Sequence, residues 1–340
     1  MDAIVRALGS KGVMAVDLAS APRKNDGYFG PDSISWRIYQ NPVVIGMAGL
    51  LGSVLAMLDP VGAAGVGQHS NYMSDPLGRV RRSNAYFITV VFGDTDMAEK
   101  AGRDLFRRHS HVNGVVPSTG ESYRANHLDA LKYTYLTGFP CLWDCYKTFS
   151  GDNPTEADER AFWNEQVIVA ELLGIPRGVL PRTPEGVYEY VRDAEENLMS
   201  YTEPAQELVN YFLHPPVTPA WPMAVVNPLL RPISWAALSQ MRPGARKVTG
   251  LPEMRLRSAM VNPVIKRAAA LVGMPMIDDV VAFAGYEAWG FRHNAQRHHP
   301  KTGPIPYDRD LGLLLQQGKG GTLPKPPTAG AESAQVRGVR

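Results

Sequence analysis

The sequence predicts an all-α protein, and three observations predict it. Apolar residues recur at helical intervals in almost every segment, helix-start signals precede most of those segments, and the one run of β-forming residues, YFITVVFG, continues a helical pattern without a break. No internal repeat interrupts this picture. A chain of 340 residues can bury a large core, and we read residues 1–317 as one helical domain.

The elements follow in order. SISWRIYQ gives two turns, and after Pro42 comes the apolar helix VVIGMAGLLGSVLAML, which Asp59 and Pro60 stop. At 16 residues it is short for a membrane span, so no span is expected. Its small residues Gly46, Ala48, Gly49 and Gly52 fit a buried helix that something flat, or another helix, approaches closely. Pro60 opens PVGAAGVGQHSNYM. The next helix runs from about Pro76 to Phe92, with Ser74 or Asp75 as cap and Pro76 in the first turn. TDMAEKAGRDLFRRHSHVNG follows, with Asp94 or Thr95 as cap and Gly114 as stop.

After the turn-rich VVPSTGESYRAN, helices resume at HLDALKYTYLTGFPCLWDCYKTF and at TEADERAFWNEQVIVAELLGIP. Thr155 and Asp158 have the spacing of a capping box in the second of these. TPEGVYEYVRDAEENLM is another helix, and from Glu203 onward prolines divide shorter pieces such as ELVNYFL, ISWAALSQM and NPVIKRAAALV. The tail, residues 318–340, is Gly, Pro and polar residues without apolar periodicity, and disorder is expected there.

Composition excludes several function classes. Charged residues are 20%, hydrophobic residues 44%, and the net charge is +2, so nothing calls for a nucleic-acid partner. The basic residues are interspersed with acidic ones except at Arg79, Arg81, Arg82 and at Arg107, Arg108. The two cysteines, Cys141 and Cys145, share a helix face but lack the partners of a zinc site, and read as reduced, buried thiols of a cytosolic protein. The N-terminal residues carry Asp2, Arg6, Lys11 and Asp17, without the apolar stretch of a signal peptide. A cytoplasmic protein is expected.

One histidine stands out. In DLFRRHSHVNG, His109 and His111 are two residues apart, about 200° of helical rotation. Stepping from His109 by helical intervals meets Leu105, Gly102, Ala101 and Ala98, an apolar stripe with one imidazole set into it. His111 instead lines up with Asp104, Arg107 and Arg108 on the solvated side. A lone histidine on such a stripe is most often a satisfied core residue. It is also what a haem iron needs on its proximal side. The segments GLLGS, which begins at Gly49, and GAAGVG can lie flat against a ring, and GRVRRSNAY supplies cations. In that last helix Arg79, Arg82, Ser83 and Tyr86 share a face, which also reads as an ordinary solvated basic surface.

The ordered combination of the stretch from GYFGPDSISWRIYQ to FITVVFG with RRHSHVNG, TGESYRAN and FWNEQVIVAELLGIP resembles the MpaB-type oxygenase family, which includes the rubber-cleaving latex clearing proteins. The resemblance covers about residues 27–191 and leaves C-terminal helices at 192–317. It implies a globin-like all-α core, haem b as cofactor, and dioxygen with a small organic molecule as substrates. It places the axial histidine on His109, the distal arginine on Arg79 and a nearby hydroxyl on Ser83. Arg82 stands where latex clearing proteins have a lysine that can close the distal position; a guanidinium is a poor iron ligand, so the distal side is expected to be open. Arg82 or Arg81 can pair with a haem propionate. His69 matches a recurrent family position and reads equally as a pocket residue or as a helix-terminal histidine bonded to backbone.

Two departures concern pocket chemistry. Asp59 and Tyr135 stand where many members have histidine, and no residue matches the catalytic glutamate of rubber oxygenases, which argues against rubber as substrate. The function expected is a haem b oxygenase of a small apolar or semi-polar molecule, with alkene cleavage as one form of that reaction. A haem sensor or carrier without turnover, and a peroxygenase or dehydrogenase of a secondary metabolite, are the alternatives. The sequence says nothing of oligomeric state.

Overall fold

The structure is a computed structural model that describes residues 22–215, 223–253, 255–272 and 287–318. The expected tail from residue 319 on lies outside them. Fourteen α-helices, one 3-10 turn (Arg177–Val179) and one small hairpin make up the regular structure among the described residues.

The first half runs α1 (Ile34–Tyr39), α2 (Pro42–Met57), α3 (Pro60–His69), α4 (Pro76–Phe92) and α5 (Thr95–His109), then strands β1 (Asn113–Val115) and β2 (Ser122–Arg124). The second half is α6 (Leu128–Phe149), α7 (Glu156–Leu172), α8 (Pro184–Asn197), α9 (Glu203–Leu213), α10 (Met223–Ser239), α11 (Pro243–Thr249), α12 (Arg255–Val272), α13 (Glu287–Arg297) and α14 (Leu311–Gln316).

Local signals start these helices. Asn41 caps α2, Asp59 caps α3, Asp75 caps α4 through Gly78 N at 2.9 Å, and Asp94 caps α5 through Met97 N at 2.9 Å. Each carboxylate or amide accepts from an otherwise orphaned first-turn N–H. At α7 the capping box is complete, with Thr155 and Asp158 bonded reciprocally. YFITVVFG is helical through Phe92 as its periodicity requires.

Two local expectations are corrected. α5 stops at His109, not at Gly114, because the chain turns away there to form β1. The turn-rich stretch holds a two-stranded antiparallel hairpin with Gly114 opposite Tyr123.

The core is built on α2, which is apolar on all sides and packs most extensively along α6. Ile38, Val44, Met47, Leu51, Val54, Met57, Phe92, Trp143, Phe149, Phe162 and Phe212 are fully buried in one cluster. Phe139 stacks on Phe162 at 5.1 Å between ring centres and meets Trp163 edge-on at 4.9 Å. Each such side chain contributes about 1.5–3 kcal/mol through its removal from water. The cysteines are free and buried on α6.

α2 and α3 meet at 106° across Leu58 and Asp59. No single described helix is long and apolar enough to cross a membrane. α4 then packs across α2, and Gly49 is where they touch: a Cβ there would lie 2.8 Å from Val80 Cγ1 and 3.1 Å from the Asn84 amide.

Candidate functional site

α4 and α5 are joined by Gly93 and Asp94 alone and pack on each other. At the far ends of the pair, His69 Nε2 is hydrogen-bonded to the carbonyl of Asn113 at 2.9 Å. That bond ties the last residue of α3, which leads into α4 through residues 70–75, to the start of β1, which follows α5. The first turn of α4, with Arg79, and the last turn of α5, with His109, therefore lie at one end of a helical hairpin.

The two histidines of DLFRRHSHVNG look different ways. His111 is exposed, whereas His109 is half-buried, with its Nδ1 atom fully enclosed and without a hydrogen-bond partner. Burial pushes the His109 pKa below the ordinary histidine value, so the ring is neutral at pH 7. A neutral imidazole with an unspent buried nitrogen is an unusual arrangement, since enclosed polar atoms normally find a partner. Behind it the stripe is as the sequence laid it out. Ala98, Ala101 and Gly102 are buried and Leu105 is half-buried, and Gly102 is pressed so closely to α7 that a Cβ would lie 2.4 Å from the Leu172 carbonyl oxygen.

Arg79 is half-buried, and burial is the main cause that lowers its pKa, with the Arg82 charge adding to it. No carboxylate pairs with it among the described residues. Arg82 and Ser83 are both exposed. The Arg82 guanidinium turns back to the α4 cap, donating to Asp75 Oδ2 at 3.0 Å, and Arg81 is half-buried. The geometry thus gathers Arg79 and Arg82 at the start of α4. It sends Ser83 to solvent, because a short side chain four residues on cannot reach inward as the long Arg79 does. Tyr86, one turn further, is buried with its hydroxyl unpartnered.

His69 is exposed and spends Nε2 on backbone, the structural of the two readings open to it. The face that Gly49 opens is taken up by Val80 and Asn84 of α4, so protein, not open space, lies against it. Gly46 and Gly52 flank that crossing, and an added Cβ at either would meet nothing within 4 Å.

Asp59 accepts from Val61 N at 3.3 Å and Gly62 N at 3.0 Å; its burial outweighs those bonds and raises its pKa above the ordinary value. The tyrosines that feel the Asp59 charge are Tyr133, which donates to the Leu55 carbonyl at 3.0 Å, and Tyr190. Tyr135 points elsewhere and donates to the Gln166 carbonyl at 2.6 Å. The carboxylate and amide of FWNEQ are structural too: Glu165 accepts from Ser35 N at 2.7 Å, and Gln166 Nε2 donates to Ser35 Oγ at 3.2 Å.

One residue went unnoticed in the sequence. Asn126, the last letter of TGESYRAN, donates from Nδ2 to the Phe106 carbonyl at 2.8 Å and so finishes the turn of α5 that carries His109. Its Oδ1 is buried without a partner. The only sequence signal was its place at the end of a motif whose spacing from RRHSHVNG is family-like.

No group of three or more His, Cys, Asp or Glu side chains among the described residues is arranged to hold a bare metal ion. The donor set fits instead a cofactor that needs one axial imidazole and cationic surroundings, which is what a haem requires of its protein. A surface groove of about 470 Å³ beside α12 and a much smaller cleft between α2 and α6 involve neither His109 nor Arg79.

The fold defines an all-α domain with one small hairpin, and the family it belongs to makes it an oxygenase catalytic domain. The chain belongs to the family described as ER-bound oxygenase mpaB/B'/Rubber oxygenase, catalytic domain, whose family model matches residues 36–274. The match takes in α12 and so extends well beyond the motifs quoted from the sequence. No curated protein and no solved structure matches the chain.

Proposed function

We propose that this protein is a haem b-dependent oxygenase that uses dioxygen to oxidise a small apolar or semi-polar organic molecule in the cytoplasm. The observation that carries the proposal is the enclosed, unpartnered Nδ1 of a neutral His109 at the same end of a helical hairpin as the uncompensated Arg79. Haem b bound there supplies the redox-active iron that lets dioxygen react with a closed-shell organic substrate.

The chain's own residues do the rest. His109 holds the cofactor from the end of α5, and Asn126 and the clasp from His69 to Asn113 fix the turn that carries it. Arg79 contributes a desolvated positive charge that costs no reorganisation when negative charge develops in the pocket. Ser83 is exposed, so its hydroxyl would meet a substrate only as it enters from solvent, and Arg81 and Arg82 offer cations to the propionates. Arg82 must leave Asp75 to do so. Cleavage of a carbon–carbon double bond to two carbonyls is the reaction to test first.

The purified protein is expected to show a strong Soret band. His109→Ala should abolish it, and His111→Ala should leave it unchanged. A wild type that stays colourless and fully folded after haem supplementation overturns the reading. Oxygen uptake that depends on an added substrate separates the oxygenase from a haem sensor or carrier.

A further inference from the structure

The strongest unexplained surface is on α12. Leu256, Met260, Val264 and Leu271 are 77%, 69%, 61% and 54% exposed. At about 100° per residue they fall within an arc of about 80°. They form an apolar stripe, broken only by Arg267, on a helix whose opposite side buries Ile265 and Ala269. Isolated exposed leucines are ordinary, but such a stripe marks a contact.

The charges around the stripe decide its partner. α12 carries Arg255, Arg257, Lys266 and Arg267 and no acidic residue. Arg257 lies on one shoulder of the stripe and Lys266 and Arg255 on the other, while Arg267 rises within it. Arg257 is steadied by the Trp235 ring at 5.0 Å; Arg255 pairs with the exposed Glu253, and no carboxylate pairs with Lys266 or Arg267 among the described residues. On the Lys266 shoulder lies the groove of about 470 Å³, lined by Thr148, Arg255, Ser258, Asn262 and Lys266 together with small apolar side chains. Asn262 leaves its Oδ1 buried and unpartnered.

We propose that α12 is a membrane-docking helix that lies in the headgroup plane of an anionic bilayer, with the groove on its shoulder receiving a phospholipid headgroup. An apolar stripe with cations on both shoulders suits that interface: the stripe enters the acyl boundary while the cations reach up to the phosphates. A second copy of this face is the poorer occupant, because a two-fold contact would set like charges against one another. No helix needs to cross the bilayer for this mode of attachment.

The test is flotation of the full-length protein with two vesicle compositions, phosphatidylcholine alone and phosphatidylcholine mixed with phosphatidylglycerol. Binding is expected only to the second, and it should weaken as salt shortens the screening length. Each cation near an anionic surface strengthens binding about fivefold, so the double variant K266E/R267E should weaken it by at least about tenfold. L256S/M260S should abolish it while leaving the circular dichroism spectrum unchanged, since both residues are exposed. Equal binding to neutral vesicles, no binding to either composition, or insensitivity to both variants overturns the proposal. So does a concentration-dependent dimer that L256S/M260S dissolves, which would give the stripe to a second copy.

Discussion

Asn126 holds the C-terminal turn of α5 by one hydrogen bond to the Phe106 carbonyl, and His109 stands on that turn. The same carbonyl accepts from Ser110 N at 3.1 Å, so removing the amide takes away one of its two partners, at a cost of about 1 kcal/mol. Asn126→Ala is therefore expected to lower the melting temperature modestly and the haem occupancy more than that loss of stability accounts for. The ratio of Soret to protein absorbance, measured on the folded fraction, checks it. The same scale shows what the sequence could and could not disclose. Helical phase was enough to set His109 on the apolar stripe of α5, but His111 lies beyond the helix end, and its exposure comes from the turn into β1, not from phase. Phase put Ser83 beside Arg79 but could not weigh a two-atom side chain against a guanidinium on a flexible stem. It could not tell that Tyr133, and not Tyr135, neighbours Asp59, since that depends on how α6 is rotated against the bend between α2 and α3.

At the scale of elements, helix starts were legible because a cap is a contact within four residues. Asp75, Asp94 and the pair Thr155 and Asp158 do what their spacing announced. The β1–β2 hairpin was not legible: three-residue strands carry no periodicity, and only pairing across the turn from Val116 to Glu121 makes them strands. The sequence offered Gly49 to something flat or to another helix, and the structure takes the second course, spending it on the crossing with α4. Gly102 has the same kind of role between α5 and α7, against backbone that has little room to move. Gly102→Ala should push α5 off Leu172 and destabilise the fold by about 1–3 kcal/mol, with haem affinity falling alongside. Thermal melts of apo and haem-loaded protein measure both effects.

Across the whole molecule, the C-terminal segment returns to the first half and pins it. Ile305 N donates to the Gly27 carbonyl at 2.7 Å, and Gly303 N donates to Asp26 Oδ2 at 2.8 Å. Arg309 reaches Glu99 Oε1 at 3.1 Å, where Tyr28 also donates at 2.6 Å. Nearby, Glu171 is wholly buried, with Arg177 Nε bonded to its Oε1 at 2.5 Å. Burial outweighs that partner and raises its pKa from 4.5 to about 7. The folded state therefore binds this proton more tightly than the unfolded chain does. Its contribution to stability is full below pH 4.5 and is lost as pH rises to about 7. Glu171→Gln should flatten the pH dependence of the melting temperature across that window. A slope identical to wild type would show that Glu171 is not the group responsible.

The α4–α5 hairpin, clasped by His69 and Asn113, has a consequence for how such a protein diversifies. Asp59, Arg79, His109 and Asn126 all fall within one uninterrupted stretch of chain, and the His69–Asn113 and Asn126–Phe106 bonds are made inside it, while Leu172 of α7 backs α5 from outside. The helices from α7 onward wall the molecule and carry the lipid-facing stripe without supplying any of these four groups. Changes in those helices would thus alter what the protein meets while leaving this stretch of chain intact.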